Sequence, residues 1–194
     1  MKKHLLIVVL MLITYSAFSQ KKLHLGVKAG VNYSSLSNTS FDYKPGLYVG
    51  LFLQVQVSDF YALQPELYYS NQGAKTNFLG AEDVNIHYVS IAFANKFFIM
   101  NDQRFHLLAG IGLDLDWDDN LINLANSGFE TNNIFAVDMT VFGGLGYQFD
   151  MGLTIEARYK RGLIGVFTDE LFEENNHFNS VFQFGLAYKF DLKK

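Results

Sequence analysis

Carboxylates in a short acidic run are the first residues in this sequence that could do chemistry. The run follows a stretch of alternating apolar residues and consists of Asp114, Asp116, Asp118 and Asp119. Its oxygens are the hard ligands that Ca²⁺ prefers, so the run could form a weak cation-binding rim. It lacks the central glycine and the closing glutamate of an EF-hand loop, which favours a solvated acidic loop. We therefore expect no bound metal and no cofactor.

A second set that could do chemistry is a group of charges of both signs on strand-like segments. The group consists of Lys28, Glu66, Lys96, Asp138, Glu156, Arg158 and Lys160. These charges could form a proton path, an ion path or a gate. They could also form a static network of salt bridges in a filled interior. We favour the static network, because charges that are buried must be paired.

Catalysis of lipid modification would need a nucleophile, a base and a group that orients the base, all at one place. The candidate bases are His24, His87, His106 and His177. The sequence contains no nucleophile elbow, and it contains no cysteine. A lipid-modifying enzyme is an alternative, but we expect that the protein is not an enzyme.

The elements that must position these residues are β-strands with a strict two-residue period. In residues 23–34 the odd positions are apolar and the even positions are polar or small, which is typical of a strand with one apolar face. Seven further segments repeat the pattern: 46–57, 60–72, 85–99, 104–116, 134–149, 153–162 and 178–190. Pro65 has no N–H to donate, so we expect a local irregularity in the third strand.

The connections between these eight segments alternate between long and short. An antiparallel meander with this alternation has its long loops at one end and its tight turns at the other, as in outer-membrane barrels. The sequence therefore predicts an all-β fold, an eight-stranded antiparallel up-and-down transmembrane β-barrel.

Two orientations of the barrel wall are open at this point. A soluble, secreted, lipocalin-like binding barrel would turn the apolar face inward around a ligand. We favour the apolar face outward, towards lipid. The polar face is rich in glycine and carries both signs of charge, which fits the filled interior of a narrow barrel. The apolar face of the strands carries aromatic residues near the strand ends, where outer-membrane barrels have interfacial girdles.

The first residues are typical of a secretory signal peptide. Lys2 and Lys3 precede a short apolar segment, and Ala17 and Ser19 supply small residues for cleavage between Ser19 and Gln20. We expect a signal peptide over residues 1–19 and a barrel domain over residues 20–194. Without Lys2 and Lys3 the chain has 13 basic residues (15 − 2) against 19 acidic ones. Such an acidic chain argues against nucleic acid as a partner.

Several segments resemble the PorT-type outer-membrane β-barrel family of Bacteroidetes. The main one is LQPELYYSNQGA at residues 63–74, and GVKAGVNYS, GGLGYQF, EARYKRGL and FGLAYKF also fit. The resemblance implies an OmpA/OmpX-like eight-stranded barrel in the outer membrane of a Gram-negative bacterium. It also implies a link of some members to secretion machinery.

We expect a small outer-membrane protein with a filled polar lumen and a structural or interaction role through its external loops, in secretion or envelope machinery. Its expected partners are outer-membrane lipid and a protein at the external loops, and we expect a monomer.

Overall fold

The computed structural model describes residues 23–77, 82–99, 102–117, 126–128, 136–166 and 177–190. The predicted signal peptide, with its cleavage site at Ser19 and Gln20, lies outside the described residues, as do Asp118 and Asp119. Eight strands follow one another along the chain: β1 (Leu23–Leu36), β2 (Lys44–Ser58), β3 (Tyr61–Ala74), β4 (Val84–Phe98), β5 (Phe105–Asp116), β6 (Val137–Gln148), β7 (Leu153–Gly162) and β8 (Asn179–Lys189).

The strands form one closed antiparallel barrel. Each strand pairs with the next one in the sequence, and β8 pairs with β1 to close the sheet. The strand ends that flank the connections 37–43, 75–83, 117–136 and 163–178 lie at one end of the barrel, called the external end here. The connections 59–60, 99–104 and 149–152 lie at the opposite, periplasmic end. The predicted fold class is confirmed, and no helix among the described residues is long and apolar enough to cross a membrane.

The local irregularity expected at Pro65 occurs on one side of the strand only. On the β4 side its register is continuous, with Pro65 opposite Phe93. On the β2 side the pairing is interrupted between Phe52 and Val55, but the register is the same before and after the gap. The register shift in β2 occurs instead at the periplasmic end, between Gln56 and Ser58.

The outer surface of the barrel is apolar, which excludes the lipocalin-like arrangement. Outward side chains along the strands are well exposed, as at Leu47, Ile111 and Leu186, whose exposed fractions are 65%, 61% and 51%. Inward positions carry polar, charged and aromatic side chains that are almost fully buried. An apolar outer band around a polar interior is the arrangement of a transmembrane barrel.

Aromatic pairs bound this apolar band at both ends. Near the external end the rings of Tyr159 and Phe182 lie 4.9 Å apart between centroids, and Tyr43 is 5.9 Å from Phe182. Near the periplasmic end Tyr147 contacts Phe149 at 5.1 Å, and the Tyr188–Phe190 pair at 5.3 Å has the same edge-on geometry. Two such girdles mark the levels of the lipid headgroups.

Candidate functional site

The best-defined constellation in the structure is a cluster of five charges in the middle of the lumen, called the central cluster here. Its members are Lys28, Glu66, Lys96, Glu156 and Arg158. They project inward because each occupies the polar parity of its strand. Each is almost fully buried, with exposed fractions between 1% and 4%.

Arg158 connects the two carboxylates of the central cluster. Its guanidinium donates to both carboxylate oxygens of Glu66, from Nη1 to Oε2 at 2.8 Å and from Nη2 to Oε1 at 2.7 Å. Nη2 also donates to Glu156 Oε2 at 2.7 Å. Because β3 and β7 stand four strands apart in a ring of eight, the Arg158–Glu66 contact crosses the barrel from wall to wall. A two-pronged bond of this kind is strong and directional.

Each carboxylate of the central cluster also contacts a lysine. Lys28 Nζ lies 2.7 Å from Glu66 Oε2, and Lys96 Nζ lies 2.6 Å from Glu156 Oε1. Gln64 donates a further hydrogen bond to Glu66 Oε1 at 2.7 Å. The central cluster therefore holds three cations and two carboxylates, all in direct contact.

A second group of charges lies nearer the external end of the lumen. Lys160 Nζ donates to Asp114 Oδ2 at 2.7 Å, and Gln72 Nε2 donates to the same oxygen at 3.0 Å. Asp138 lies directly opposite Asp114 in the register of β5 and β6. Its Oδ1 accepts a hydrogen bond from the backbone N–H of Ile164 at 3.1 Å.

The structure describes two residues of the acidic run, Asp114 and Asp116, and they lie at different places. Asp114 points into the lumen and is 1% exposed. Asp116 ends β5, where its Oδ1 accepts a hydrogen bond from Asn126 at 2.8 Å. Asp114 thus joins the lumen charges, because its position in β5 has the inward parity. Among the described residues no group of three or more histidine, cysteine or acidic side chains could hold a metal ion.

The four candidate histidines lie at separate places in the barrel. His24 is near the periplasmic end of β1, and His87 stacks on Tyr69, whose hydroxyl is 2.6 Å from His87 Nδ1. His106 is fully buried in the lumen, with Nε2 3.6 Å from Glu156 Oε1. His177 lies at the external end, with Nδ1 3.1 Å from the carbonyl oxygen of Ser37.

Aromatic rings that the sequence reasoning did not use fill the lumen between the charges. Lys28 Nζ lies 4.5 Å from the ring centroid of Tyr68, and the guanidinium of Arg158 lies 5.3 Å from that of Phe142. Glycines elsewhere on the inner wall make room for such rings. A Cβ at Gly185 would overlap the hydroxyl of Tyr48. The signal in the sequence is an aromatic residue and a glycine that both have inward parity.

An apolar cluster closes the lumen above the charges at the external end. Its buried members are Leu36, Ala74, Val84, Ile86, Tyr88 and Val166. The connection that carries Val166 is held in place by two backbone contacts, from Val166 N–H to the carbonyl of His177 at 2.8 Å and from Ile164 N–H to Asp138. Charges, rings and this cap leave the described lumen filled from the central cluster to the external mouth.

Comparison with known proteins places this geometry among outer-membrane barrels. The model of a family described as "Outer membrane protein beta-barrel domain" matches residues 18–168. Neisserial surface protein A is similar in structure, with a TM-score of 0.53 and 16% identity over 87% of this chain and 97% of that one. The Yersinia pestis outer membrane protein Ail in a phospholipid bilayer nanodisc has a TM-score of 0.51 and 13% identity, over 87% and 100% of the two chains. A search of curated proteins found no match.

Proposed function

The chain belongs to the family of outer membrane protein beta-barrel domains, and from that premise we propose that it is a closed scaffold of the outer membrane that acts through its external loops. The observation that carries the proposal is the Arg158–Glu66 contact, which joins opposite walls of the lumen at 2.7 and 2.8 Å. A solute that passed through the barrel would have to separate these two side chains.

The energetics support a closed lumen. Removing one partner from a buried ion pair costs about 3 to 5 kcal/mol, because the other charge is left without compensation. Arg158 contacts Glu66 and Glu156 at once, and each of these carboxylates also holds a lysine. Opening a path therefore requires several such contacts to break together. Eight-stranded barrels are also just wide enough for side chains to fill them.

The test of the closed lumen is ion conductance of the purified protein in a planar lipid bilayer. We expect no discrete conductance steps from the wild-type protein. The double variant Glu66→Ala/Arg158→Ala removes the contact across the lumen without changing the net charge, and we expect it to conduct. Arg104→Ala/Asp150→Ala is the matched control, since this pair is exposed at the periplasmic end, with its closest atoms 2.9 Å apart. Stable conductance steps from the wild-type protein would refute a closed scaffold.

The external loops are the part of the barrel that is left to bind a partner. Lipid covers the outer band, and the lumen is filled. Binding residues of rigid scaffolds are found mostly on their loops. The external connections have ordered bases: Asp42 pairs with Lys75 through two backbone hydrogen bonds, at 2.9 and 3.0 Å, and Ser37 N–H donates to Phe178 at 2.9 Å. These contacts give the loops a fixed starting geometry.

Complementation of a deletion strain separates a loop function from a lumen function. The readout is growth of the strain in competition with its parent. We expect a variant with residues 38–42 replaced by a short glycine–asparagine turn to fail to complement, although it still folds and shows a heat-dependent gel shift. A folded lumen variant such as Glu66→Gln should complement. The opposite pattern, with the loop variant active and the lumen variant inactive, would contradict the proposal.

A finer assignment rests on the resemblance to PorT-type barrels, some members of which are linked to secretion machinery. We propose a protein partner in that machinery or in the envelope, contacted by a monomeric and non-catalytic barrel. A photo-activated cross-linking residue at Asn38, in the first external connection, should form adducts with protein in intact cells. The same residue at Asp150, in a periplasmic turn, is the control. Adducts at Asp150 alone would contradict the proposal, because the partner would then lie on the periplasmic side and not at the external loops.

A further inference from the structure

Asp138 differs from all the other buried charges in the described part of the lumen. Eight charged residues other than histidine are buried there: Lys28, Glu66, Lys96, Asp114, Asp138, Glu156, Arg158 and Lys160. Seven of them form ion pairs at 2.6 or 2.7 Å. Asp138 forms none within 4.0 Å among the described residues, and its Oδ1 accepts a hydrogen bond from the Ile164 N–H. A carboxylate that is 3% exposed without a cation is costly.

Asp138 also faces a second carboxylate. In the sheet register Ser90 lies opposite Asp114 on β4 and β5, and Asp114 lies opposite Asp138 on β5 and β6. The three residues thus form one row across the inner wall. Directly opposite side chains have Cβ atoms about 4.5 to 5.5 Å apart, and like charges in that position destabilise the sheet. The row therefore needs positive charge beyond the Lys160 ammonium.

Four buried oxygens in this row and in the row next to it have no hydrogen-bond partner among the described residues. They are Asp114 Oδ1, Asp138 Oδ2, Ser90 Oγ and Thr140 Oγ1. The two hydroxyl residues are each 1% exposed. Thr140 Oγ1 lies over Gly112, only 2.8 Å from where a Cβ of that glycine would be, and Gly112 is two residues from Asp114 in β5. The Thr140 hydroxyl is therefore directed towards the wall beside Asp114.

The next row of the wall is made of small residues. Ala92 lies opposite Gly112, which lies opposite Thr140, which in turn lies opposite Gly162. Two of these small residues make room for the side chains beside them, because Asp138 Oδ2 lies over Gly162 and Thr140 Oγ1 lies over Gly112. The charge of Asp114, Asp138 and Lys160 together is −1. A water molecule would leave this charge uncompensated, a divalent cation would overcompensate it, and a monovalent cation would bring it to zero.

We propose that the lumen binds one monovalent cation, Na⁺ or K⁺, between Asp114 and Asp138, with the hydroxyls of Ser90 and Thr140 as further ligands. Carboxylate and hydroxyl oxygens are hard ligands that suit such a cation. The ion stabilises the closed barrel by compensating Asp138. The site lies in the lumen wall, apart from the acidic loops.

Thermal unfolding of the detergent-solubilised full chain tests the site, with the heat-dependent gel shift as readout. The salts compared are sodium, potassium and choline chloride at an ionic strength of about 0.15 M, so that general screening is constant. We expect the unfolding midpoint of the wild-type protein to be higher in sodium or potassium chloride than in choline chloride, by about 2 to 4 °C. Asp138→Asn should abolish the difference. Asp150→Asn, which removes an exposed carboxylate, should keep it.

Two further measurements decide the matter if Asp138→Asn fails to fold. Thr140→Val removes one neutral ligand and should weaken the cation dependence. Crystals of the wild-type protein grown with Rb⁺ should show an anomalous peak between Asp114 and Asp138. Equal midpoints in all three salts, or an unchanged cation dependence in Asp138→Asn, would overturn the proposal. A midpoint that depends on pH but not on the cation would overturn it too, because the two carboxylates would then share a proton.

Discussion

Replacing Glu66 with glutamine tests how the central cluster stabilises the barrel. The substitution keeps the shape of the side chain but removes the carboxylate that contacts both Lys28, at 2.7 Å, and Arg158, at 2.7 Å. Arg158 keeps its contact with Glu156, whereas Lys28 loses its ion pair with Glu66. A buried charge left without its partner costs about 3 to 5 kcal/mol, and we expect a loss of that size in the free energy of unfolding.

The double variant Lys28→Met/Glu66→Gln separates charge compensation from packing. It also removes the Lys28 ammonium, which Glu66→Gln leaves without a counterion. We therefore expect the double variant to be more stable than Glu66→Gln alone, by at least about 1 kcal/mol. Urea unfolding in phospholipid vesicles measures the free energy of unfolding of both variants. The fluorescence of Trp117, the one tryptophan of the sequence, reports the transition. Asp150→Asn breaks an exposed pair with Arg104 and should cost at most about 1 kcal/mol. A double variant no more stable than Glu66→Gln would refute charge compensation as the reason.

Two further substitutions test the packing of the lumen and the lipid-facing band, both by urea unfolding in vesicles. Gly185→Ala should cost about 1 to 3 kcal/mol, because the new Cβ would overlap the Tyr48 hydroxyl, whereas Gly143→Ala, whose Cβ would meet nothing closer than 3.8 Å, should be nearly neutral. Equal effects would mean that the lumen is loosely packed. Ile111→Arg, at an outward position that is 61% exposed in the middle of β5, should cost about 2 to 4 kcal/mol. The same change at Leu23, the first residue of β1, should cost at most about 1 kcal/mol, and a similar cost at both positions would argue against a lipid-facing band.

The strands and their faces were predictable because both depend on local sequence. A strand alternates its side chains with a period of two, so the parity of Leu25 and Val27 assigns every neighbour to a face. Strand seven was predicted with the observed bounds, Leu153–Gly162. Ends of strands were less accurate. β2 begins at Lys44 rather than Gly46, because Pro45 can pair with Tyr33 without an N–H of its own.

Contacts across the lumen were not predictable from local pattern. Arg158 and Glu66 are separated by 92 residues, and their meeting depends on the tilt and stagger of all the strands between them. Alternation gives the face on which a residue lies but not its level in the barrel. For the same reason the aromatic rings inside, such as Tyr68 beside Lys28, could not be matched to their charges from the sequence.

Asp114 was absent from the charges predicted for the lumen. The seven residues predicted there comprise four cations and three carboxylates. Asp114 has the inward parity in β5, and with it the eight buried charges sum to zero before any ion binds. The sum is not zero at each level, however. The central cluster carries +1, and the group of Asp114, Asp138 and Lys160 carries −1. This local imbalance at Asp138 appears only when the strands are in register.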